Sequence, residues 1–179
     1  KNYEIDLLVP HKGGLFYNQI PDNIHVINVP VALHYMVYGY KELLKKSNFK
    51  LQYFIIKIIW SIWLKTHKGK TLGVKEQRLW KLWRSFIPEM NTSYDVAISY
   101  MNGYCNYYII EKVNAKNKFL WVHNEYLKLG YDAKFDLRYF EKASAVITIS
   151  DLCKKSIIKV FPQFSNKVYV LNNISSGRT

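Results

Sequence analysis

The sequence predicts an α/β fold built on a doubly wound parallel sheet. Two observations predict it: apolar runs of four to six residues recur along the chain, as strands covered on both faces require, and helical segments alternate with the later ones. A third is that 49% of the 179 residues are apolar, enough to bury a real core in one compact domain.

Residues 3–10 (YEIDLLVP) form the first such run, closed by the turn-forming residues His11, Lys12, Gly13 and Gly14, and residues 24–29 repeat the pattern before Pro30. Both read as strands. Four more runs follow much later: 96–100 (VAISY), 119–122 (FLWV), 145–149 (AVITI) and 168–171 (VYVL). Helical segments at 104–113, 135–142 and 152–160 separate them, and this βα alternation is Rossmann-like. No internal repeat or low-complexity tract interrupts it, and the small polar residues 175–179 (SSGRT) read as a linker or a cut end.

Residues 41–87 break the rhythm and read as a helical, basic insertion of two or three helices around a Lys- and Gly-rich connector at 66–73, expected to be flexible. In residues 49–65, Lys50, Lys57, Ser61 and Lys65 fall on one stripe, while Phe54, Ile55, Ile58, Ile59, Ile62 and Trp63 cover the rest. The apolar run at 53–64 contains Lys57 and falls well short of the ~20 residues that span a bilayer. A second helix, expected at 76–87, sets Leu79, Trp80, Leu82, Trp83 and Phe86 beside Arg78, Lys81 and Arg84. Tryptophan with basic flanks is the composition of a helix lying in a membrane interface. This makes Trp60, Trp63, Trp80, Trp83, Lys57, Arg78, Lys81 and Arg84 the candidate membrane-facing residues. The competing reading, of equal weight, packs these helices on the sheet or on each other and shows their lysines to water.

Lys and Arg outnumber Asp and Glu by 26 to 13, and residues 41–84 alone carry a net +10 of the total +13. Anionic partners are therefore expected at that stretch rather than over the whole chain. Cys105 and Cys153 lack CxxC spacing and a nearby His, which argues against a zinc site and a disulfide framework and fits a reduced, cytosolic setting. The five histidines never pair at metal-ligand spacing, so no metal is expected. Nothing at the start reads as a secretion signal. Gly69-Lys70-Thr71 echoes the end of a phosphate-binding loop, but Leu64 stands where the pattern needs glycine. Asn91-Thr92-Ser93 and Asn173-Ile174-Ser175 match the glycosylation acceptor pattern, which is short enough to arise by chance.

From residue 94 the order of features becomes specific: YDVAISYMNGY, FLWVHNEY, a Tyr-Phe-Glu-Lys helix, ASAVITISDLCKKSIIKVFP, then KVYVLNNI. Residues 94–174 resemble the amino-terminal, acceptor-side domain of retaining glycosyltransferases of family 4, which have the GT-B fold, and residues 1–30 resemble the second strand of that domain and its surroundings. The resemblance implies that a first strand with its glycine-rich turn precedes Lys1, and that a carboxy-terminal domain gripping the nucleotide-sugar follows residue 174. This fragment alone is then expected to be inactive, with 1–174 as the acceptor-side domain. No cofactor or metal is implied, since the nucleotide-sugar is a substrate.

His123 follows the run 119–122 directly, at the carboxyl edge of the sheet where open α/β folds bind ligands. The resemblance makes it the catalytic histidine that faces the transferred sugar. Transfer through an oxocarbenium-like state needs positioned hydrogen bonds more than a strong nucleophile. By spacing alone, a histidine at a strand end is more often structural. Asn124 and Glu125 come next on the acceptor side; Glu125 either orients the imidazole or receives the acceptor hydroxyl proton, or is a solvated loop acid or helix N-terminal charge. Asn102, Gly103 and Tyr104 form the loop after VAISY, where Gly permits close backbone approach and Tyr stacks on a sugar; a plain strand-to-helix turn explains them equally well. Ser150 lies on the edge that the resemblance assigns to the donor, and reads otherwise as a helix N-cap.

The leading expectation is a sugar transferase at the cytoplasmic face of a membrane, taking a nucleotide-sugar donor to a saccharide or lipid-linked acceptor in polysaccharide or glycolipid synthesis. An anionic membrane surface is the expected partner of the basic stretch. Against it stands a nucleic-acid-binding module, motivated by the Arg, Lys and Trp of 65–84 but lacking any known nucleic-acid motif, and a sugar- or membrane-binding module without catalysis.

Overall fold

The computed structural model describes residues 3–10, 14–44, 50–67 and 69–173. The expected turn at residues 11–13, the start of the helix at 49 and the tail from 174 onward lie outside the described residues. The chain divides into two compact units, Lys1–Lys65 and Thr66–Thr179, and the division falls inside the stretch that composition set apart.

The first unit contains two parallel strands, β1 (Ile5–Leu8) and β2 (Ile24–Ile27), paired with Ile5 opposite Ile24 and joined through a 3-10 turn at Tyr17–Gln19. Asp6 sits opposite His25 and the two side chains pair at 2.8 Å. Helices α1 (Val31–Val37), α2 (Tyr40–Leu44) and α3 (Leu51–Thr66) follow. Leu33, Tyr35, Met36 and Leu43 are buried.

The second unit begins with α4 (Leu72–Trp83) and continues as β3 (Ser93–Ser99), α5 (Tyr104–Lys112), β4 (Asn114–Val122), α6 (Tyr126–Leu129), α7 (Ala133–Lys142), β5 (Ala145–Thr148), α8 (Asp151–Val160) and β6 (Val168–Val170). Its four strands are parallel, in the sequential order β3-β4-β5-β6. One register row of this sheet, Ser99, Leu120, Val146 and Val168, is fully buried, as expected where crossover helices of one hand cover the same face. On the opposite face Val96, Ile98 and Tyr169 are exposed.

The fold is thus α/β with parallel sheets, compatible with a Rossmann-like arrangement. Where the sequence predicts one sheet, however, the described residues form two, of two and four strands. Hydrophobic runs identify strands; the edges they pair along are set by tertiary contacts that a run does not encode.

The bounds of the expected connector at 66–73 are also corrected, since α3 runs through Thr66 and α4 starts at Leu72. Thr71 caps α4 by accepting from the Val74 amide, and Gly73 is buried inside the first turn. A Cβ on Gly73 would lie 2.5 Å from the Leu129 carbonyl oxygen and 2.7 Å from the Tyr131 ring, so close packing against that loop requires glycine. Helix α4 therefore starts earlier than residue 76, and its inner face decides the next correction. Trp80 and Trp83 are completely buried, with Trp80 packed 6.1 Å from the Tyr107 ring, so neither faces a membrane.

Candidate functional site

Because β3, β4 and β5 are parallel neighbours, the loops after them lie side by side along one sheet edge. These loops carry Asn102 and Gly103, then His123 to Glu125, then Ser150. Beneath them the Thr148 hydroxyl donates to the Val122 carbonyl at 2.7 Å, tying β5 to β4 immediately before His123. Asn106 on α5 donates to the Trp121 carbonyl at 3.2 Å.

His123 is half-buried, and its Nε2 donates to the Tyr100 carbonyl at 2.7 Å. The Tyr100 ring meets the imidazole edge-on at 5.1 Å and also lies against Trp121 at 5.7 Å. In a neutral ring this fixes the proton on Nε2 and leaves Nδ1 as an acceptor. The structure ties His123 to the loop after β3, and this bond gives the histidine a structural task.

The loop itself is held from an unexpected direction. Glu76, on α4, accepts from the Tyr104 amide at 2.9 Å and from the Tyr131 hydroxyl at 2.6 Å. Its carboxylate thus sits at the N-terminus of α5, where the helix dipole favours negative charge. Gly103 has φ +79°, and a Cβ there would come within 1.9 Å of Glu76 Oε1. Asn102 donates to the Tyr131 hydroxyl at 3.1 Å, while its Oδ1 is shielded from solvent and finds no donor among the described residues. Tyr104 is half-buried, and burial pushes its hydroxyl well above the usual phenol range. Burial likewise pushes the neighbouring Cys105 thiol up to about 11, too high for a nucleophile at neutral pH.

Two other candidates take the plainer of their readings. Glu125 forms an ion pair with Lys128 three residues on, and Ser150 accepts from the Cys153 amide at 3.2 Å as the N-cap of α8. Asn124 is exposed at the rim.

Behind the edge lies a buried carboxylate that sequence reasoning missed. Asp136 on α7 accepts from the Tyr107 hydroxyl at 2.7 Å, the Gln77 amide at 2.6 Å and the Tyr126 hydroxyl at 2.7 Å. One side chain thereby joins α4, α5, α6 and α7. Burial raises its pKa to about 6, against the opposing pull of these three hydrogen bonds and helped by the charge of Glu76. The three donors come from positions up to 59 residues away, so no local pattern marks Asp136.

No family model, curated protein or solved structure matches this chain.

The basic residues of α4 lie away from the sheet edge. Arg78 and Lys81 line a groove of about 280 Å³ with Lys134, Phe135 and Arg138 of α7. Arg84 is half-buried and bonds Glu111 at 3.1 Å, so its charge is partnered within the fold. In the first unit, Lys57 also points inward: its Nζ donates to the Tyr35 carbonyl at 2.8 Å, and burial lowers its pKa. Lys57 is therefore not membrane-facing. Trp60 and Trp63 remain half-exposed, their rings stacked at 4.9 Å. Among the described residues no group of three or more His, Cys, Asp or Glu is placed to hold a metal ion, and no helix is long and apolar enough to cross a membrane.

Proposed function

We propose that residues 94–173 form the acceptor-side core of a retaining, family 4-type glycosyltransferase, with the four-strand sheet as one winding of a doubly wound domain. The observation that carries this reading is the fixed His123 imidazole at the end of β4, held against the loop after β3 at the ligand-binding edge of a parallel sheet.

In this reading a nucleotide-sugar donor loses its nucleotide leaving group with the bonding electron pair, and an acceptor hydroxyl adds to the same face of the anomeric carbon, its proton passing to the departing phosphate oxygen. Positive charge develops on the sugar ring between these events. His123 Nδ1 accepts a hydrogen bond from a sugar hydroxyl and orients the ring. Glu76 positions the loop after β3 by accepting from the Tyr104 amide and the Tyr131 hydroxyl. The acceptor in this reading is a saccharide or a lipid-linked saccharide, used in polysaccharide or glycolipid synthesis at the cytoplasmic face of a membrane. No metal or other cofactor enters the proposal.

A nucleic-acid role loses its stacking platform, because Trp80 and Trp83 lie in the core; the groove of Arg78, Lys81, Lys134 and Arg138 is what remains of it. The test is sugar transfer by the gene product containing this chain, against a panel of UDP- and GDP-sugars, with the anomeric configuration of product read by NMR. Transfer with retention is expected. Inversion contradicts the family 4 reading, and absence of transfer together with salt-sensitive oligonucleotide binding replaces it with the nucleic-acid one.

A further inference from the structure

Helix α3 is amphipathic in the reverse of the usual sense. Its polar stripe faces its own unit: Lys57 Nζ donates to the Tyr35 carbonyl at 2.8 Å, and the Tyr40 hydroxyl bonds the Lys57 carbonyl at 2.7 Å and Ser61 Oγ at 2.6 Å. Rings seal the same side, with Tyr40 against Phe54 at 5.5 Å and Tyr35 against Tyr53 at 5.4 Å. The outward side carries Leu51, Ile55, Ile58, Ile59 and Ile62, exposed by 63, 46, 41, 53 and 58%. At 3.6 residues per turn these five fall within an arc of roughly 100°, a continuous aliphatic stripe running most of the helix. An exposed apolar surface of that extent marks a docking site.

Charge identifies what docks. No Asp or Glu occurs between Glu42 and Glu76, and the exposed Lys50 and Lys65 stand at the two ends of the helix. A second copy of this face would meet its own positive charge. Protein interfaces are enriched in aromatic residues and Arg and depleted of Lys, whereas aliphatic residues rimmed by Lys suit an anionic lipid surface. The stacked, half-exposed Trp60 and Trp63 add the amphipathic aromatic rings that settle at headgroup level. We infer that α3 lies in the surface of an anionic bilayer with Leu51, Ile55, Ile58, Ile59 and Ile62 inserted among the acyl chains. This assigns membrane contact to the isoleucine face and away from Trp80 and Trp83, and it holds whether or not the protein transfers sugar.

The test is co-sedimentation of the chain with phosphatidylcholine vesicles, with and without phosphatidylglycerol, for the unmutated protein, Ile55→Asp/Ile59→Asp and Lys50→Glu/Lys65→Glu. Binding is expected only with the anionic lipid, weakened about tenfold or more by either double substitution. Both pairs lie on exposed positions, and thermal melts check that folding is retained. Quenching of tryptophan by brominated lipid provides a readout on the unmutated chain, and its loss in Trp60→Phe/Trp63→Phe is expected. Failure of the unmutated protein to bind anionic vesicles, or binding unchanged by Ile55→Asp/Ile59→Asp, overturns the inference. So does a lipid-free dimer that this substitution converts to monomer, which assigns the face to contact between copies.

Discussion

Helices α3 and α4 are neighbours in sequence and share a composition of lysine, tryptophan and aliphatic residues, yet they turn opposite sides outward. Helix α3 uses Lys57 and Ser61 to bind its own unit and leaves isoleucine in solvent; α4 buries Trp80, Trp83 and Gln77 and leaves Arg78 and Lys81 outside. The difference lies in what each helix meets. Tyr35 and Tyr40 offer α3 a carbonyl and a hydroxyl, which a lysine and a serine satisfy. Tyr107 offers α4 an aromatic ring, which Trp80 packs against. Amphipathic composition therefore predicts that a helix has two faces, and its neighbours decide which face is the inner one.

The largest expected effect comes from cutting into the buried side of this pair. Trp80→Ala should cost about 3–5 kcal/mol in urea unfolding, because it empties a fully buried indole site. A loss under about 1 kcal/mol would mean that α4 is peripheral to its unit after all.

Asp136, which Gln77 of α4 helps to hold, gives the next effect. Its folded pKa of about 6 lies above the ordinary ~4 of an unfolded carboxyl, so between those values the native state binds more protons. Stability from this group is thus fully present below about pH 4 and is lost as pH rises through about 6, a change on the order of 3 kcal/mol. Asp136→Asn should flatten the stability profile across that window; an unchanged slope would remove Asp136 as its source.

Gly103→Ala combines a left-handed backbone position with a collision against the Glu76 carboxylate, and should cost about 1–3 kcal/mol. Adding Glu76→Ala removes the collision, so the double variant should lose less than the sum of the singles. Strict additivity would show that the α4 carboxylate does not meet this loop. The smallest effect belongs to the outward side of α3: Ile59→Ala should change stability in the absence of lipid by no more than about 0.5 kcal/mol.

Much of the second unit was legible in the sequence because its strands are short apolar runs with helices between them. The exception explains itself: β4 begins at Asn114, five residues before the run FLWV, and Asn114 to Lys118 are mostly polar. Over that stretch β4 pairs with β3 alone, and β5 joins only from Phe119 onward, so the early residues stay partly exposed and carry no apolar signal. The start of helix α4 is hidden in the sequence for a related reason. Its Lys- and Gly-rich start reads as a loop, although Thr71 is a competent cap and Gly73 serves a close contact 56 residues along the chain.

At the candidate site, position along a strand was legible and partnership was not. His123 is marked by the end of its apolar run. Glu76, Tyr131 and Asp136 are marked by no local pattern, since their hydrogen bonds cross 10 to 59 residues. Glu76 in particular was visible only as one of two acids in a basic stretch, and the structure makes it the residue that holds the loop after β3.

In the proposed function chemistry belongs to the β3–β4 edge and not to the basic α4–α7 groove. The most direct measurement is sugar-transfer turnover by the gene product containing this chain, for the unmutated protein, His123→Ala, and Arg78→Ala/Lys134→Ala. A loss of about 100-fold or more in His123→Ala with its thermal melt intact, beside near-normal turnover of the groove variant, is the predicted result. Full turnover in His123→Ala, or loss confined to the groove variant, would contradict it.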